Sequence, residues 1–232
     1  KPLILISNDD GVSSKGIDVL VKTLAGLGEI VVMAPDGPRS GASGAITSEL
    51  PVRYYKVKEA EDLMVYKCSG TPVDCVKLAL FELLPRCPDL VIGGINHGDN
   101  SSVNVHYSGT MGVVLEGCIK GIPSIGFSLC DHAADADFQP MLPFVRRIVV
   151  ETLEKGLPRG VCLNVNAPSA KSYQGVRVCR QAKGDWSNEW ECCQHPRGGE
   201  YYWLTGRYDT EEPQSEDTDY WALKHGFIAI TP

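Results

Sequence analysis

The chain has 232 residues, of which 43% are hydrophobic and 22% are charged, and this balance predicts a soluble globular protein with a substantial core. Its 22 basic and 29 acidic residues give a formal net charge of −7 without any dense run of Lys or Arg, which argues against a nucleic-acid polymer as partner. No apolar stretch approaches the length of a membrane-spanning segment, so we expect no membrane partner and a cytoplasmic location.

Strand-like and helix-like segments alternate along the first two-thirds of the chain. Unbroken apolar runs, which suit strands buried on both faces, predict strands at residues 3–7, 29–35, 89–94, 124–129 and 160–168. Helical spacing of apolar residues predicts helices at residues 16–27, 72–84, 109–120 and 138–155. Thr71 is the predicted N-cap of the second helix, and residues 52–57 and 63–68 are predicted to pair as a hairpin. The alternation predicts an α/β fold with a doubly wound, mostly parallel sheet.

The regular alternation of strand-like and helix-like segments ends after Pro168. Residues 1–168 are predicted to form an α/β core that carries the functional site, and residues 169–232 to complete the same domain with C-terminal strands and a hairpin arm. The arm, from about Lys183 to Tyr208, concentrates aromatic residues among glycines and charges: Trp186, Trp190, Tyr201, Tyr202 and Trp203. Exposed aromatic residues are common interface anchors, so the arm is predicted to pack on another subunit.

Nine cysteines are scattered through segments that resemble core strands and helices. Their number is odd, and no pair has the Cys-x-x-Cys spacing of a zinc site. We therefore expect reduced cysteines that act as small core residues.

Four polar loops, rich in small residues, lie at junctions between predicted strands and helices. They span residues 7–11, 34–43, 93–100 and 107–112. In a doubly wound sheet such loops can converge at the carboxyl edge of the strands, where these folds bind ligands. Asp9 and Asp10 in the first loop repel each other unless a cation, a proton or solvent relieves them. Taken alone, that loop is equally well an ordinary turn, because Asn, Asp and Gly are turn formers.

The four loops together offer hard oxygen ligands for a cation. Carboxylates of Asp9 and Asp10, the hydroxyl of Ser40 and the amide oxygen of Asn96 form a set that suits Mg²⁺ or Mn²⁺. The sequence 108–110, Ser-Gly-Thr at a helix start, would add N–H groups and hydroxyls for a phosphate. From the cation ligands and the phosphate-binding groups together, we infer metal-assisted chemistry on a phosphoryl group. His97 is interpreted as an ordinary loop histidine, because no second histidine has a suitable ligand spacing.

Other catalytic arrangements fit less well. The chain has no Walker motif, no Ser-His-Asp ordering and no Cys/His nucleophile pair. Phosphoaspartyl enzymes also place acidic residues after a first strand, but a receiver domain has about half this length and a dehalogenase carries Asp-x-Asp. A sensor that binds the same ligand without catalysis would use the same pocket, and this alternative stays open.

These loops resemble those of the survival protein E (SurE) family of nucleotidases. The opening motif of that family, Ser-Asn-Asp-Asp-Gly, is intact at residues 7–11. Further matches in family order lie at residues 34–35, 39–43, 70–75, 94–100, 107–110, 116–117 and 226–232. Gly37-Pro38 and Gly93 depart from the usual family residues, in positions that affect loop shape and no ligand.

The resemblance implies a divalent-metal-dependent phosphatase that hydrolyses nucleoside 5′-monophosphates, and in some members 3′-nucleotides or short polyphosphate. It implies one Mg²⁺ or Mn²⁺ per subunit, with Asp9, Asp10, Ser40 and Asn96 as ligands. Asp9 and Asp10 are the implied catalytic residues, and either could be the base or nucleophile. Implied phosphate or substrate contacts are Asn8, Gly41, Asn100, Ser108, Gly109 and Thr110. The implied fold is a Rossmann-like core whose C-terminal arm joins subunits into a homodimer or homotetramer.

Overall fold

A nine-stranded sheet runs through the molecule in the computed structural model, which describes all 232 residues. Its strands are β1 (Leu3–Ser7), β2 (Glu29–Pro35), β3 (Tyr54–Ala60), β4 (Leu63–Cys68), β5 (Leu90–His97), β6 (Ser124–Cys130), β7 (Leu163–Pro168), β8 (Gly175–Val178) and, after the arm, β13 (Phe227–Thr231). They lie in the order β3-β4-β2-β1-β5-β6-β7-β13-β8. All neighbouring pairs are parallel except β3–β4 and β7–β13. The predicted mostly parallel α/β sheet is confirmed.

The parallel strands from β4 to β7 have the strand order of Rossmann-like folds. In the order β4-β2-β1-β5-β6-β7, the chain first adds strands outward from β1 on one side and then, from β5, on the other. Ligands of such sheets bind at the carboxyl ends of the strands where this reversal occurs. The loop after β1, which carries Asp9 and Asp10, and the end of β5, which carries Asn96, therefore flank the expected binding crevice.

Five α-helices accompany the sheet. They are α1 (Lys15–Leu24), α2 (Pro72–Leu78), α3 (Gly109–Ile119), α4 (Leu142–Lys155) and α5 (Asp219–Lys224). The prediction ran α1 on to residue 27, whereas the helix ends at Leu24 before Gly26, which has a φ of +82°. A helix at α5 was not predicted, because six residues are too few to show a helical period. None of the helices combines the length and apolar composition that crossing a bilayer requires.

The apolar core has two parts, one on each face of the sheet. Along β1, Ile4 and Ile6 belong to a cluster of 22 buried residues that includes residues of α1 and α4, while Leu3 and Leu5 belong to a cluster of 12 with residues of α2 and α3. Burial on both faces explains why β1 is an unbroken apolar run. Burial of each such aliphatic side chain contributes roughly 1.5–3 kcal/mol to the stability of the fold. The buried strands therefore hold in place the strand ends that carry the polar loops.

The cysteines follow the expected pattern only in part. All nine are free thiols, and Cys68, Cys75 and Cys179 are buried as small core residues. Cys87 and Cys192 are exposed, so the expectation of a core position is wrong for these two. Cys87 lies in the loop before β5, and Cys192 lies in the arm.

Polar caps start the helices that lead away from the binding edge. Thr71 accepts a hydrogen bond from the Asp74 amide, and the Asp74 carboxylate accepts one from the Thr71 amide, so the predicted cap is a full capping box. Ser14 caps α1 and Ser108 caps α3 in the same way through their hydroxyls. Such caps are worth about 1 kcal/mol each, and they fix where each loop becomes helix.

The arm consists of two hairpins in series. The inner hairpin pairs β9 (Gly184–Ser187) with β12 (Arg207–Thr210), and the outer hairpin pairs β10 (Trp190–Gln194) with β11 (Glu200–Leu204). At the arm's base, the Arg180 guanidinium forms bidentate hydrogen bonds with Glu212 and with Asp217. Arg180 therefore joins the segment that leads into the arm to the segment that leaves it.

Asp219 holds the C-terminal segment against the core. Its carboxylate is 1% exposed and accepts hydrogen bonds from the amide and hydroxyl of Ser102 and from the amides of Ala182 and Tyr220. Ser102 begins a 3₁₀ turn, Ser102–His106, that precedes α3. One buried carboxylate thus connects this turn, the base of the arm and α5.

Candidate functional site

A cavity of about 470 Å³ lies at the carboxyl ends of the strands, beside the start of α3. Six residues predicted from the sequence line it: Asp9, Ser40, Gly41, Asn96, Asn100 and Ser108. Seven further residues of its lining were not predicted as site residues: His97, Asp99, Asn104, Tyr107, His132, Trp186 and Tyr208. The four polar loops therefore converge as the strand pattern indicated.

Asp9 is held by the first residues of α3. The Thr110 hydroxyl donates to its Oδ1 at 2.5 Å and the Gly109 amide donates to its Oδ2 at 3.2 Å. Residue 109 is a glycine for a steric reason, because a Cβ there would lie 2.7 Å from the Asp9 Cβ. Burial raises the pKa of Asp9 above its usual value of 3.8, and the Asp10 charge adds to the increase, while the Thr110 and Gly109 hydrogen bonds oppose it. A cation would offset this concentration of negative charge.

Asp10 lies against His97, which the sequence interpretation treated as an ordinary loop residue. The His97 amide donates to Asp10 Oδ2 at 3.1 Å, and the His97 Nδ1 lies 3.3 Å from the same oxygen. The imidazole packs edge-on against Phe138, with ring centroids 4.8 Å apart. His97 is thus part of the site, and its place directly after Asn96 at a strand end was the signal that could have indicated this.

Ser40 and Asn96 each offer an oxygen to the cavity. The Asn96 amide nitrogen donates to the Gly98 carbonyl at 3.0 Å, and its oxygen has no hydrogen-bond partner in the protein. A register shift in the β5–β6 pairing falls between Gly93 and Asn96, and irregular pairing of this kind commonly redirects a side chain next to a site. With two carboxylates, an amide oxygen and a hydroxyl, the residues present fit a hard divalent cation.

The expected phosphate contacts divide into residues that face the cavity and residues that do not. The Asn8 amide is used within its own loop, where it donates to the Gly11 carbonyl and the Ser14 hydroxyl, and it does not line the cavity. The Thr110 hydroxyl and the Gly109 amide are directed at Asp9. Ser108 lines the cavity, and its hydroxyl caps α3 by accepting from the Met111 amide. Phosphate binding by residues 108–110 stays a prediction.

Asn100 lines the cavity from a buried polar network. Its side-chain amide donates to the Ser128 hydroxyl at 2.8 Å, and its backbone amide donates to Asn166 Oδ1 at 2.9 Å. The Asn164 side chain donates in turn to the Asn100 carbonyl. These bonds fix the loop after β5 to strands β6 and β7.

The inner hairpin of the arm forms one wall of this cavity in its own chain. The Trp186 indole Nε1 donates to Asn104 Oδ1 at 2.9 Å, and its ring packs edge-on against Tyr208. The sequence singled out Trp186 as an aromatic residue of the arm and assigned it to a contact with another subunit. The structure places Trp186 on the cavity of its own chain, where the 3₁₀ turn supplies a hydrogen-bond acceptor, and its contact with another subunit stays a prediction.

The chain is similar to known proteins along its whole length. A model of the family described as Survival protein SurE matches residues 4–188. The 5′-nucleotidase SurE of Phocaeicola vulgatus is 70% identical over 232 residues, which are 100% of this chain and 90% of that protein. The 5′-nucleotidase SurE of Bacteroides thetaiotaomicron is 61% identical over 232 residues, with the same two coverages.

A solved structure shares the fold. The crystal structure of the SurE protein from Aquifex aeolicus superposes with a TM-score of 0.85 at 36% identity, covering 100% of this chain and 92% of that one. The motifs of the four loops, the strand order and these similarities agree. The chain belongs to the survival protein SurE family.

Proposed function

We propose that this chain is a metal-dependent 5′-nucleotidase, which hydrolyses nucleoside monophosphates to nucleosides and inorganic phosphate. The observation that carries the proposal is one cavity, of about 470 Å³, whose lining includes three of the four expected oxygen ligands, Asp9, Ser40 and Asn96, together with aromatic residues of the arm. The fourth, Asp10, is not in the lining and contacts the lining residue His97. This volume lies within the range of small-molecule sites, roughly 300–1,000 Å³, and exceeds what a phosphate ion alone requires. The names of relatives that match the entire chain support the activity.

Asp9, Asp10, Ser40 and Asn96 would hold the cation. Mg²⁺ or Mn²⁺, when bound, supplies charge neutralisation at the phosphoryl group and lowers the pKa of water for attack. These residues come from the loops after β1 and β2 and from the end of β5, and the strand order reverses between β1 and β5. No Lys or Arg contacts either carboxylate, so within the protein their charge is opposed only by hydrogen bonds and the contact with His97.

The chain's own residues position the reacting groups. Thr110 and Gly109 fix both oxygens of Asp9, so this carboxylate has one orientation. The amide of His97 fixes one oxygen of Asp10, and the other has no hydrogen-bond partner in the protein. That free oxygen of Asp10 is available to bind the cation or to accept a proton from water.

The proposal extends to 3′-nucleotides and short polyphosphate. Each presents a phosphoryl group that the same oxygen ligands and the same Asp pair can serve. The aromatic wall would contact the nucleoside part of a nucleotide and would make no such contact with polyphosphate. Nucleotides are therefore expected to have the lower KM.

The test is phosphate release from AMP and GMP with Mg²⁺ or Mn²⁺, before and after exhaustive treatment with EDTA. We expect release to stop on chelation and to return when the metal is restored. An unchanged rate after chelation contradicts metal dependence. AMP binding measured by calorimetry, without phosphate release under any metal, would make the protein a nucleotide sensor.

A further inference from the structure

Asp99 presents an unused hydrogen-bond acceptor to the cavity. The half-buried side chain lines the cavity from the loop after β5. Its Oδ1 accepts from the Ser101 amide at 2.7 Å, whereas the contact of its Oδ2 with the Asn104 side-chain nitrogen is long, at 3.5 Å. An ionised carboxylate has about four acceptor positions and no donor. The Ser101 amide, the long Asn104 contact and the Cys130 thiol leave at least one position of Asp99 unused by the protein.

The loop that carries Asp99 is held in place from both sides. The Gly98 amide donates to the Leu129 carbonyl at 2.8 Å, and the Gly98 carbonyl accepts from the Asn96 side chain. The His132 ring covers Gly98 so closely that a Cβ would collide with it, and the φ of Gly98 is +112°. Asp99 is therefore a preorganised group of the site.

Asp99 stands between the oxygen ligands and the aromatic wall. It lies three positions after Asn96 in the sequence, a distance of at most about 11 Å along an extended chain. On its other side, Asp99 contacts Asn104, which accepts the hydrogen bond of Trp186. In a nucleoside monophosphate the ribose likewise lies between the phosphate and the base.

The charge of Asp99 determines which part of a nucleotide it can contact. A carboxylate repels a phosphate and needs donors, which the ribose hydroxyls supply. The Cys130 thiol beside it is neutral, because burial raises its pKa well above 9.0 and the charge of Asp99 adds to that increase. We propose that Asp99 accepts hydrogen bonds from the ribose hydroxyls, the 2′-hydroxyl included, and so makes the enzyme prefer ribonucleotides to 2′-deoxyribonucleotides. This inference rests on the proposed nucleotidase function.

The experiment compares kcat/KM for AMP and dAMP in the wild type and in Asp99→Asn, which keeps an acceptor for the Ser101 amide. A hydrogen bond to a charged group gives the wild type an expected preference for AMP of about tenfold to hundredfold. In Asp99→Asn the ratio of kcat/KM for AMP to that for dAMP should fall to within about threefold of unity. The fall should come from a lower kcat/KM for AMP, with kcat/KM for dAMP little changed. The matched control is Asp135→Asn, which removes an exposed charge from the loop after β6 outside the cavity, and it should keep the wild-type ratio.

The outcomes separate this inference from the proposed function. Equal hydrolysis of AMP and dAMP by the wild type overturns the role of Asp99 and leaves the nucleotidase intact. A change in base preference without a change in the AMP/dAMP ratio also overturns it, since Asp99 would then face the base. Without phosphate release from any nucleotide, the nucleotidase proposal fails. The binding of adenosine and 2′-deoxyadenosine, measured by calorimetry, then tests Asp99, and equal affinities contradict its role.

Discussion

Both hairpins of the arm carry aromatic residues, but the surroundings of these residues differ. In the inner hairpin, Trp186 donates a hydrogen bond to Asn104 and packs on Tyr208, against the cavity of its own chain. In the outer hairpin, the side chains of Trp190 and Trp203 are 64% and 63% exposed. Aromatic residues occur in both hairpins, so the difference in exposure comes from the surfaces that each hairpin can contact. The inner hairpin contacts the 3₁₀ turn before α3, and the outer hairpin extends beyond the core.

An exposed aromatic patch of this kind is unusual on a monomeric protein. Besides the two tryptophans, it contains Tyr201, Tyr202 and Leu204, all of them exposed. Aromatic residues are the commonest strong anchors of protein interfaces. We therefore propose that the outer hairpin packs on a second copy of the chain, in a homodimer or homotetramer, while the inner hairpin serves the site.

The largest effect is expected from the strand-end loops, which carry the chemistry that neither hairpin supplies. Asp10→Asn should lower kcat for AMP by about 10²–10⁴-fold, the usual contribution of a catalytic acid or base. The mass of the assembly, measured by light scattering, should not change. Asp18→Asn on the solvent face of α1 is the matched control and should keep full activity. A near-normal kcat for Asp10→Asn at saturating metal would remove Asp10 from the catalytic machinery.

The next effect tests the outer hairpin. Trp203→Ser should weaken self-association by about 30-fold, since truncation of an interface anchor costs about 2 kcal/mol or more. Because the cavity wall comes from the same chain, kcat/KM for AMP should stay within twofold. Phe81→Ser removes another exposed aromatic residue, remote from the arm and 86% exposed, and should leave the mass unchanged. A wild-type protein that is monomeric at micromolar concentration contradicts the interface.

A smaller effect, on KM, should distinguish the two hairpins when the same substitution, Trp to Phe, is made in each. Trp186→Phe keeps an aromatic ring and removes the indole donor to Asn104, and loss of a neutral hydrogen bond costs about 1 kcal/mol. We expect KM for AMP to rise about fivefold with little change in kcat. Trp190→Phe in the outer hairpin is the control and should leave KM unchanged. Equal effects of the two substitutions on KM would show that both hairpins contact substrate.

The smallest effect concerns the base of the arm. Hydrogen bonds from Arg180, and next from the Lys183 amide, lower the pKa of Glu212 from 4.5 to about 2. A carboxylate whose pKa is lower in the folded state than in the unfolded state stabilises the fold. This contribution is complete at pH values above the unfolded-state pKa and is lost as the pH falls toward the folded-state pKa. The difference in unfolding free energy between wild type and Glu212→Gln should thus be greatest above about pH 4.5 and shrink toward pH 2. Urea titrations at several pH values measure it, and a pH-independent difference would exclude the ion pair as its source.

Much of the site follows from local sequence signals. An apolar run that ends in Asp9-Asp10 indicates a strand end at the binding edge, and Thr71-Pro72 indicates a helix start, because both signals depend on neighbouring residues. The loops meet at one edge because parallel strands share a direction. The oxygen ligands could therefore be predicted without knowledge of long-range contacts.

The missed features depend on contacts between distant segments. His97 meets Asp10 across 87 positions of sequence, and Trp186 meets Asn104 across 82. Asn8 was expected to contact substrate, but its amide is used by Gly11 and Ser14 within the same turn. The family motif identifies Asn8 as important, and only the hydrogen-bond partners show what it does.

Asp219 couples the local unfolding of three segments of the molecule. Four hydrogen bonds converge on one carboxylate that water does not reach, so releasing any partner leaves buried acceptors unpaired. The 3₁₀ turn, the base of the arm and the short helix α5 should consequently open together as one unit of local unfolding. Amide protons of Ser102, Ala182 and Tyr220 should then exchange with a common opening free energy. Local opening of α5 would in this way reach the wall of the cavity.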